Sequence, residues 1–236
     1  MIGPYALACL DMAGTTVRDD GAVEAAFDEA LAAVGVTKGS PRYEEAHRFV
    51  RETMGWSKAD VFAKLLDPDQ AGRATARFAA AYEAVVAAGE VEAIPGAPDV
   101  LHDLRARGVR ICLTTGFAPS TRDALLDALG WRPDIDLALS PADVGRGRPA
   151  PDLVLGAMAR LGIEEPGAVV VVGDTVSDLE AGTAARARAV VGVLTGAHDE
   201  ATLRAAPHTA ILPDITGLIG LLERAEAPYA GDVDKN

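Results

Sequence analysis

The chain has 236 residues, 49% of them hydrophobic, and carries 22 Lys and Arg against 35 Asp and Glu, a net charge of −13. That apolar share excludes intrinsic disorder and supplies one sizeable core, or one core plus a small satellite domain. The negative balance and the lack of a basic patch exclude a nucleic-acid partner, and no stretch approaches the roughly 18–20 apolar residues of a membrane span.

In chain order, Tyr5–Leu10 is an apolar run that ends at Asp11. Met1–Leu10 has no basic region, so a secretory signal is not expected and a cytoplasmic location is. From about Val17 to Ala93 the pattern is helical without a strand. Val23, Phe27, Leu31 and Val34 recur at helical spacing, Ser40 precedes Pro41 as a cap, and Phe78, Tyr82, Val85 and Val86 form another stripe. After Ile94-Pro95-Gly96 the chain alternates. Apolar runs at Val109–Leu113, Ala168–Val172, Val190–Leu194 and Thr209–Leu212 are separated by helical patterns at Pro98–Arg107, Pro119–Leu129, Pro151–Leu161 and Val176–Ala187. Short runs without polar alternation suit strands buried on both faces. The expected fold is therefore α/β: a doubly wound parallel-sheet, Rossmann-like core over residues 1–16 and 94–236, with an all-helical domain inserted over 17–93. Cys9 and Cys112 lie inside strand-like runs and read as buried free thiols of a reducing cytosol. The polar tail Ala225–Asn236 reads as frayed.

In open α/β sheets ligands bind beyond the carboxyl ends of the strands, and four polar clusters fall there. Asp11-Met12-Ala13-Gly14-Thr15-Thr16 offers a carboxylate for attack or metal binding, or a plain strand-end turn. Thr114-Thr115-Gly116 can hold a phosphate oxygen or simply cap a helix. Gly145-Arg146-Gly147-Arg148-Pro149 presents a guanidinium for an anionic group or a solvated loop. In Gly173-Asp174-Thr175-Val176-Ser177-Asp178, two carboxylates suit a hard divalent cation, although Thr175 and Asp178 also spell a capping box. His47, His102, His198 and His208 show no metal-ligand spacing and receive no role.

These four clusters, in this order on this alternation, resemble the haloacid dehalogenase superfamily of phosphotransferases. The resemblance implies that Asp11 is the nucleophile forming an aspartyl-phosphate and that Thr115 and Arg148 hold the phosphoryl group. It implies that Asp174, Asp178, Asp11 and the carbonyl of Ala13 position magnesium. Gly14, Thr15, Met54 and Gly116 are the expected substrate contacts, and the inserted helices the expected mobile cap.

Most phosphatases of that superfamily carry a second Asp two positions after the nucleophile, to protonate the leaving alkoxide. Here that position is Ala13, and losing such an acid costs roughly 10²–10⁴ in rate. A lysine at the inserted segment's interface with the core offers another route, because an amine in a dry pocket condenses with a carbonyl. Lys58 in Met54-Gly55-Trp56-Ser57-Lys58 is the candidate, with a solvent-facing helix residue as the bland alternative. With an aldehyde beta to phosphorus, the iminium would take up the electrons of the C–P bond. This combination resembles the phosphonoacetaldehyde hydrolases in Asp11–Thr16, Met54–Lys58, Gly147–Pro149 and Gly173–Asp178. The chain departs from them at Val61, Phe117 and Ala22, where they carry His, Tyr and Cys. The resemblance implies a small phosphonate as substrate and a homodimer built through the cap. A phosphate monoester phosphatase or a phosphomutase of the same superfamily is the alternative.

Overall fold

The computed structural model describes Gly3 and residues 5–224; the tail read as frayed, 225–236, lies outside the described residues. Six strands form one parallel sheet: β1 (Leu7–Asp11), β2 (Arg110–Thr114), β3 (Leu137–Leu139), β4 (Val169–Gly173), β5 (Ala189–Val193) and β6 (Ala210–Leu212), in the spatial order β3-β2-β1-β4-β5-β6. All five expected runs are strands. β3 is an addition, a three-residue piece between Asp136 and Ser140 too short to stand out.

The pleat sends alternate residues to opposite faces. Ala8, Leu10, Ile111, Leu113, Val170 and Val172 face the side covered by α5 (Ala97–Ala106), α6 (Pro119–Leu129) and α10 (Leu218–Arg224). Leu7, Cys9, Cys112, Val169 and Val171 face α7 (Asp152–Leu161) through Leu153, Val154, Ala157 and Met158. With both faces covered, β1 and β4 are buried along their whole length, which is why their sequences do not alternate. Cys9 and Cys112 are register partners on β1 and β2, and both thiols are free and buried. α8 (Val176–Ala184) follows β4, and α9 (Glu200–Ala205) lies between β5 and β6.

Between β1 and α5 stand four helices: α1 (Ala22–Ala33), α2 (Pro41–Glu52), α3 (Lys58–Leu65) and α4 (Pro68–Ala87). Ser40 caps α2 by accepting from the Tyr43 N–H with Pro41 at the first position, Ser57 caps α3, and Asp67 caps α4. Phe27, Phe62 and Phe78 form the centre of this layer, with ring centroids of Phe27 5.1 Å from Phe62 and 4.7 Å from Phe78. Two crossing chains connect it to the sheet. The Arg18 N–H donates to the Glu92 carbonyl at 2.9 Å, and the Ile94 N–H donates to the Thr16 carbonyl at 2.9 Å.

Because Phe27 is fully buried and touches both other rings, Phe27→Ala is expected to destabilise the fold by about 3–5 kcal/mol. Urea unfolding checks this; a cost below about 1 kcal/mol would show that the ring is not a packing centre.

Candidate active site

The sheet's strand order reverses at β1, between β2 and β4, and the site lies beyond the carboxyl ends of these three strands. Asp11 is the last residue of β1, Thr115 follows β2, and Asp174 follows β4. The loop after Asp11 is tight: the Met12 carbonyl accepts from the N–H groups of Thr15, Thr16 and Val17 at 3.2, 2.9 and 2.7 Å. Gly14 sits there at φ 89°, and a Cβ on it would come within 2.5 Å of Asp174 Oδ2. Glycine is thus needed both for the left-handed backbone and for the close approach.

The electrostatics centre on Arg148. Its guanidinium is buried and lies 2.6 Å from Asp11 Oδ1, and it also hydrogen-bonds Asp178 Oδ1. Its Nε is buried with no partner. Asp178 is held as the expected capping box, with its Oδ2 accepting from the Thr175 hydroxyl at 2.5 Å and the Thr175 N–H at 3.2 Å. Asp174 accepts from the Ala197 N–H at 2.7 Å and from the Thr15 hydroxyl at 3.2 Å. Burial pushes the Asp11 carboxyl well above the usual range, with Asp178 and Asp174 adding to the rise and Arg148 opposing it. Burial, helped by the Asp178 charge, pushes Asp174 up to about 7.

Lys58, the first residue of α3, is buried, which overturns the solvent-facing alternative. Its N–H donates to the Gly116 carbonyl at 3.2 Å. Its Nζ stands 5.4, 5.8 and 5.5 Å from the ring centres of Phe27, Phe78 and Phe117, within cation–π range. Burial lowers its pKa to about 8, assisted by the Arg148 charge and opposed by Asp11 and Asp19. Gly116 has no room for a Cβ against the Trp56 carbonyl, so the loop after β2 and the start of α3 touch backbone to backbone.

Asp11, Ala13, Met54, Lys58, Thr115, Gly116, Arg148 and Asp174 line one cavity of about 40 Å³, room for a few waters. Other expected residues stand behind it. The Thr15 hydroxyl is turned to Asp174, and the Gly14 carbonyl accepts from Thr195 Oγ1 at 2.6 Å. Arg146, the other arginine of its loop, is exposed and pairs with Asp152. Four contacts were not assigned from the sequence, three of them on Asp19, Ala197 and His198 and one on Ser177 of the Gly173–Asp178 cluster. Asp19 lines the cavity and accepts from the Val23 N–H at 3.0 Å, and Ala197 supplies its N–H to Asp174. The Ser177 hydroxyl donates to the Met54 carbonyl at 3.1 Å, and His198 Nδ1 accepts from the Val176 N–H at 3.0 Å, giving a role to a histidine read as having none.

Three buried carboxylates share one buried guanidinium, an excess of negative charge that suits a divalent cation. Among the described residues no three acidic, His or Cys side chains close into a complete ligand set. A divalent cation here would meet Asp11 and Asp174, which line the cavity, with Asp178 behind them on Arg148 and Thr175.

Residues 5–186 match the model of the haloacid dehalogenase-like hydrolases, and the chain belongs to that family. It is similar to the phosphonoacetaldehyde hydrolase of Bacteroides fragilis, 35% identical over 118 residues, covering 49% of this chain and 44% of that protein. The chain thus matches less than half of that relative's length. It is also similar to the protein named "Probable phosphatase IndB" of Dickeya dadantii, 27% identical over 95% of this chain and 98% of that one. The crystal structure of a hydrolase from Pseudomonas syringae superposes with a TM-score of 0.82 at 25% identity, covering 94% of this chain and all of the other. Among the described residues no helix is long and apolar enough to cross a membrane.

The folded protein holds the Asp174 proton up to about pH 7, whereas an unfolded Asp releases it near pH 4, about its free value. Stability is therefore lost as pH rises across that window. Asp174→Asn keeps the shape and removes the charge, so without added metal its Tm should exceed the parent's, by more at pH 8 than at pH 5. A lower Tm at pH 8 would contradict this electrostatic reading.

Proposed function

We propose that this hydrolase cleaves the C–P bond of a small phosphonate bearing a carbonyl beta to phosphorus, phosphonoacetaldehyde or a relative, with magnesium. One observation carries the reading: the Lys58 amine is buried in the same cavity as Asp11 and Arg148, while the position of an alkoxide-protonating acid is Ala13. The orphaned Arg148 Nε is a donor for a phosphoryl oxygen.

In this reading Lys58 Nζ attacks the carbonyl and, with loss of water, forms a Schiff base. Asp11 attacks phosphorus, the C–P electron pair passes into the enamine, and Arg148 stays on the phosphoryl oxygens as its charge redistributes. The enamine takes a proton at carbon and water releases the aldehyde from Lys58; a second water cleaves the aspartyl-phosphate. Magnesium would be held by Asp11, Asp174 and Asp178 with the Ala13 carbonyl, and would supply charge neutralisation for the phosphoryl oxygens. Residues 17–93 act as a cap domain on the core of 1–16 and 94–236. Its opening at the paired crossings near Arg18 and Glu92 admits a substrate for which the closed cavity leaves little entry. The same reading makes the protein a cytoplasmic homodimer joined through the cap.

Phosphate and acetaldehyde are expected together from phosphonoacetaldehyde with magnesium. Borohydride should trap the carbon fragment as a secondary amine on Lys58, located by peptide mass. Lys58→Arg stays cationic and cannot condense, so turnover should fall by about 10³-fold or more. Full turnover in that variant, or hydrolysis of phosphate esters alone, would sink the C–P reading in favour of a phosphatase.

With Lys58 titrating at about 8, the neutral amine grows as pH rises toward that value. kcat/KM should climb about tenfold per pH unit below 8 and level above it. A limb centred near 10.5, the ordinary lysine value, would mean that the amine is not desolvated when it reacts.

A further inference from the structure

Lys58 stands on the wall between two cavities. On one side is the catalytic cavity of about 40 Å³; on the other, between α3, α4 and the loops after β2 and β3, lies a chamber of about 390 Å³. Lys58, Gly116 and Phe117 line both, while Phe78, Ala79 and Pro141 line the chamber alone. We propose that this chamber receives the carbon chain of the substrate. The substrate class is then a β-carbonyl phosphonate whose carbonyl bears an apolar alkyl or aryl group.

The inference rests on the C–P reading above and follows from space. A phosphoryl group held by Asp11 and Arg148 takes up a cavity of this size, and the carbonyl carbon must reach Lys58 Nζ. The rings of Phe78 and Phe117 flank Nζ at 5.8 and 5.5 Å, and both rings also form the chamber wall. The two rings touch, with centroids 6.1 Å apart, so a substituent on the far side of the carbonyl passes beside them, along Lys58, into a largely apolar space, the setting in which alkyl groups are recognised. Overall, one water and R–CO–CH₂–phosphonate give R–CO–CH₃ and phosphate. The water lost on condensation returns when the imine is hydrolysed, and the C–P electron pair ends in the new C–H bond.

Binding and turnover test it separately. Straight-chain alkylphosphonates from methyl to hexyl cannot be cleaved through Lys58 and report on the chamber alone. By calorimetry with magnesium, Kd should fall about fourfold per added methylene, and Ala79→Phe, which fills the chamber, should flatten that dependence. A flat dependence in the parent protein would overturn the proposal. If Ala79→Phe also dissociated a dimer in sedimentation, the face would belong to a second copy of the chain. In turnover, the kcat/KM ratio of a 2-oxohexylphosphonate to phosphonoacetaldehyde should exceed ten, and Ala79→Phe should bring it to about one. Chain-length-dependent binding without C–P cleavage would retain an alkyl-binding chamber and overturn its assignment to a β-carbonyl phosphonate. Cleavage of phosphonoacetaldehyde with flat binding would do the reverse.

Discussion

Much of this molecule is arranged around a concentration of buried negative charge beside a cavity with room for only a few waters. Asp11, Asp174 and Asp178 are each buried, and a single buried guanidinium, Arg148, stands among them. Ionised groups in such a place are costly unless paired and hydrogen-bonded. The surroundings supply the pairing: Thr175 and its N–H on Asp178, the Ala197 N–H on Asp174, and Arg148 across Asp11 and Asp178. What remains is a deficit of positive charge: burial first, and then repulsion from the neighbouring carboxylates, raises Asp11 and Asp174. The doubly covered sheet is the counterweight. β1 and β4 are buried along both faces, so their ends cannot move apart to relieve the repulsion.

The helical layer over the site creates the second perturbed group by the same physics with the opposite sign. Burial favours the neutral form of an amine as it favours the neutral form of an acid. Lys58 loses water to the three rings around it and meets the field of Arg148, so its pKa drops to about 8. The charges of Asp11, Asp19 and Asp174 hold back some of the fall without cancelling it. Acids pushed up and an amine pushed down within one cavity mark a site built for reaction rather than for stability.

The sheet was legible in the sequence because its strands are buried on both faces and therefore unbroken, as in Val169–Gly173. β3 was not, since Leu137–Leu139 has three residues and none is β-branched. The carboxylate ends of β1 and β4 were legible because a charge closing an apolar strand has few bland explanations. The burial of Lys58 was not: position one of a capped helix is compatible with either face. What buries it comes from Phe27, Phe78 and Phe117, on α1, α4 and the loop after β2. Ala197 and His198 were silent for a similar reason, because each acts through one contact between segments distant in sequence, and Asp19 because its bond from the Val23 N–H is an ordinary helix-start contact that does not announce the cavity.

Ala13 and Lys58 are best understood together. An alkoxide leaves phosphorus poorly and needs an acid beside it; a carbon leaving group needs an electron sink instead. Placing methyl at position 13 removes a fourth carboxyl from a cavity already overloaded with negative charge. In the proposed chemistry, Lys58 replaces the lost acid by changing the leaving group, since an iminium accepts the C–P electrons that no side chain could protonate in time. The apolar Val61 and Phe117, where relatives of the phosphonatase type have His and Tyr, fit this arrangement physically. Val61 is buried within the first turn after Lys58, and Phe117 is one of the rings on its amine. Neither offers a hydrogen bond that would stabilise the ammonium form. Both therefore help keep the amine neutral near pH 8, and the proton the enamine needs must come from water or a neighbouring carboxyl such as Asp19, whose pKa burial raises.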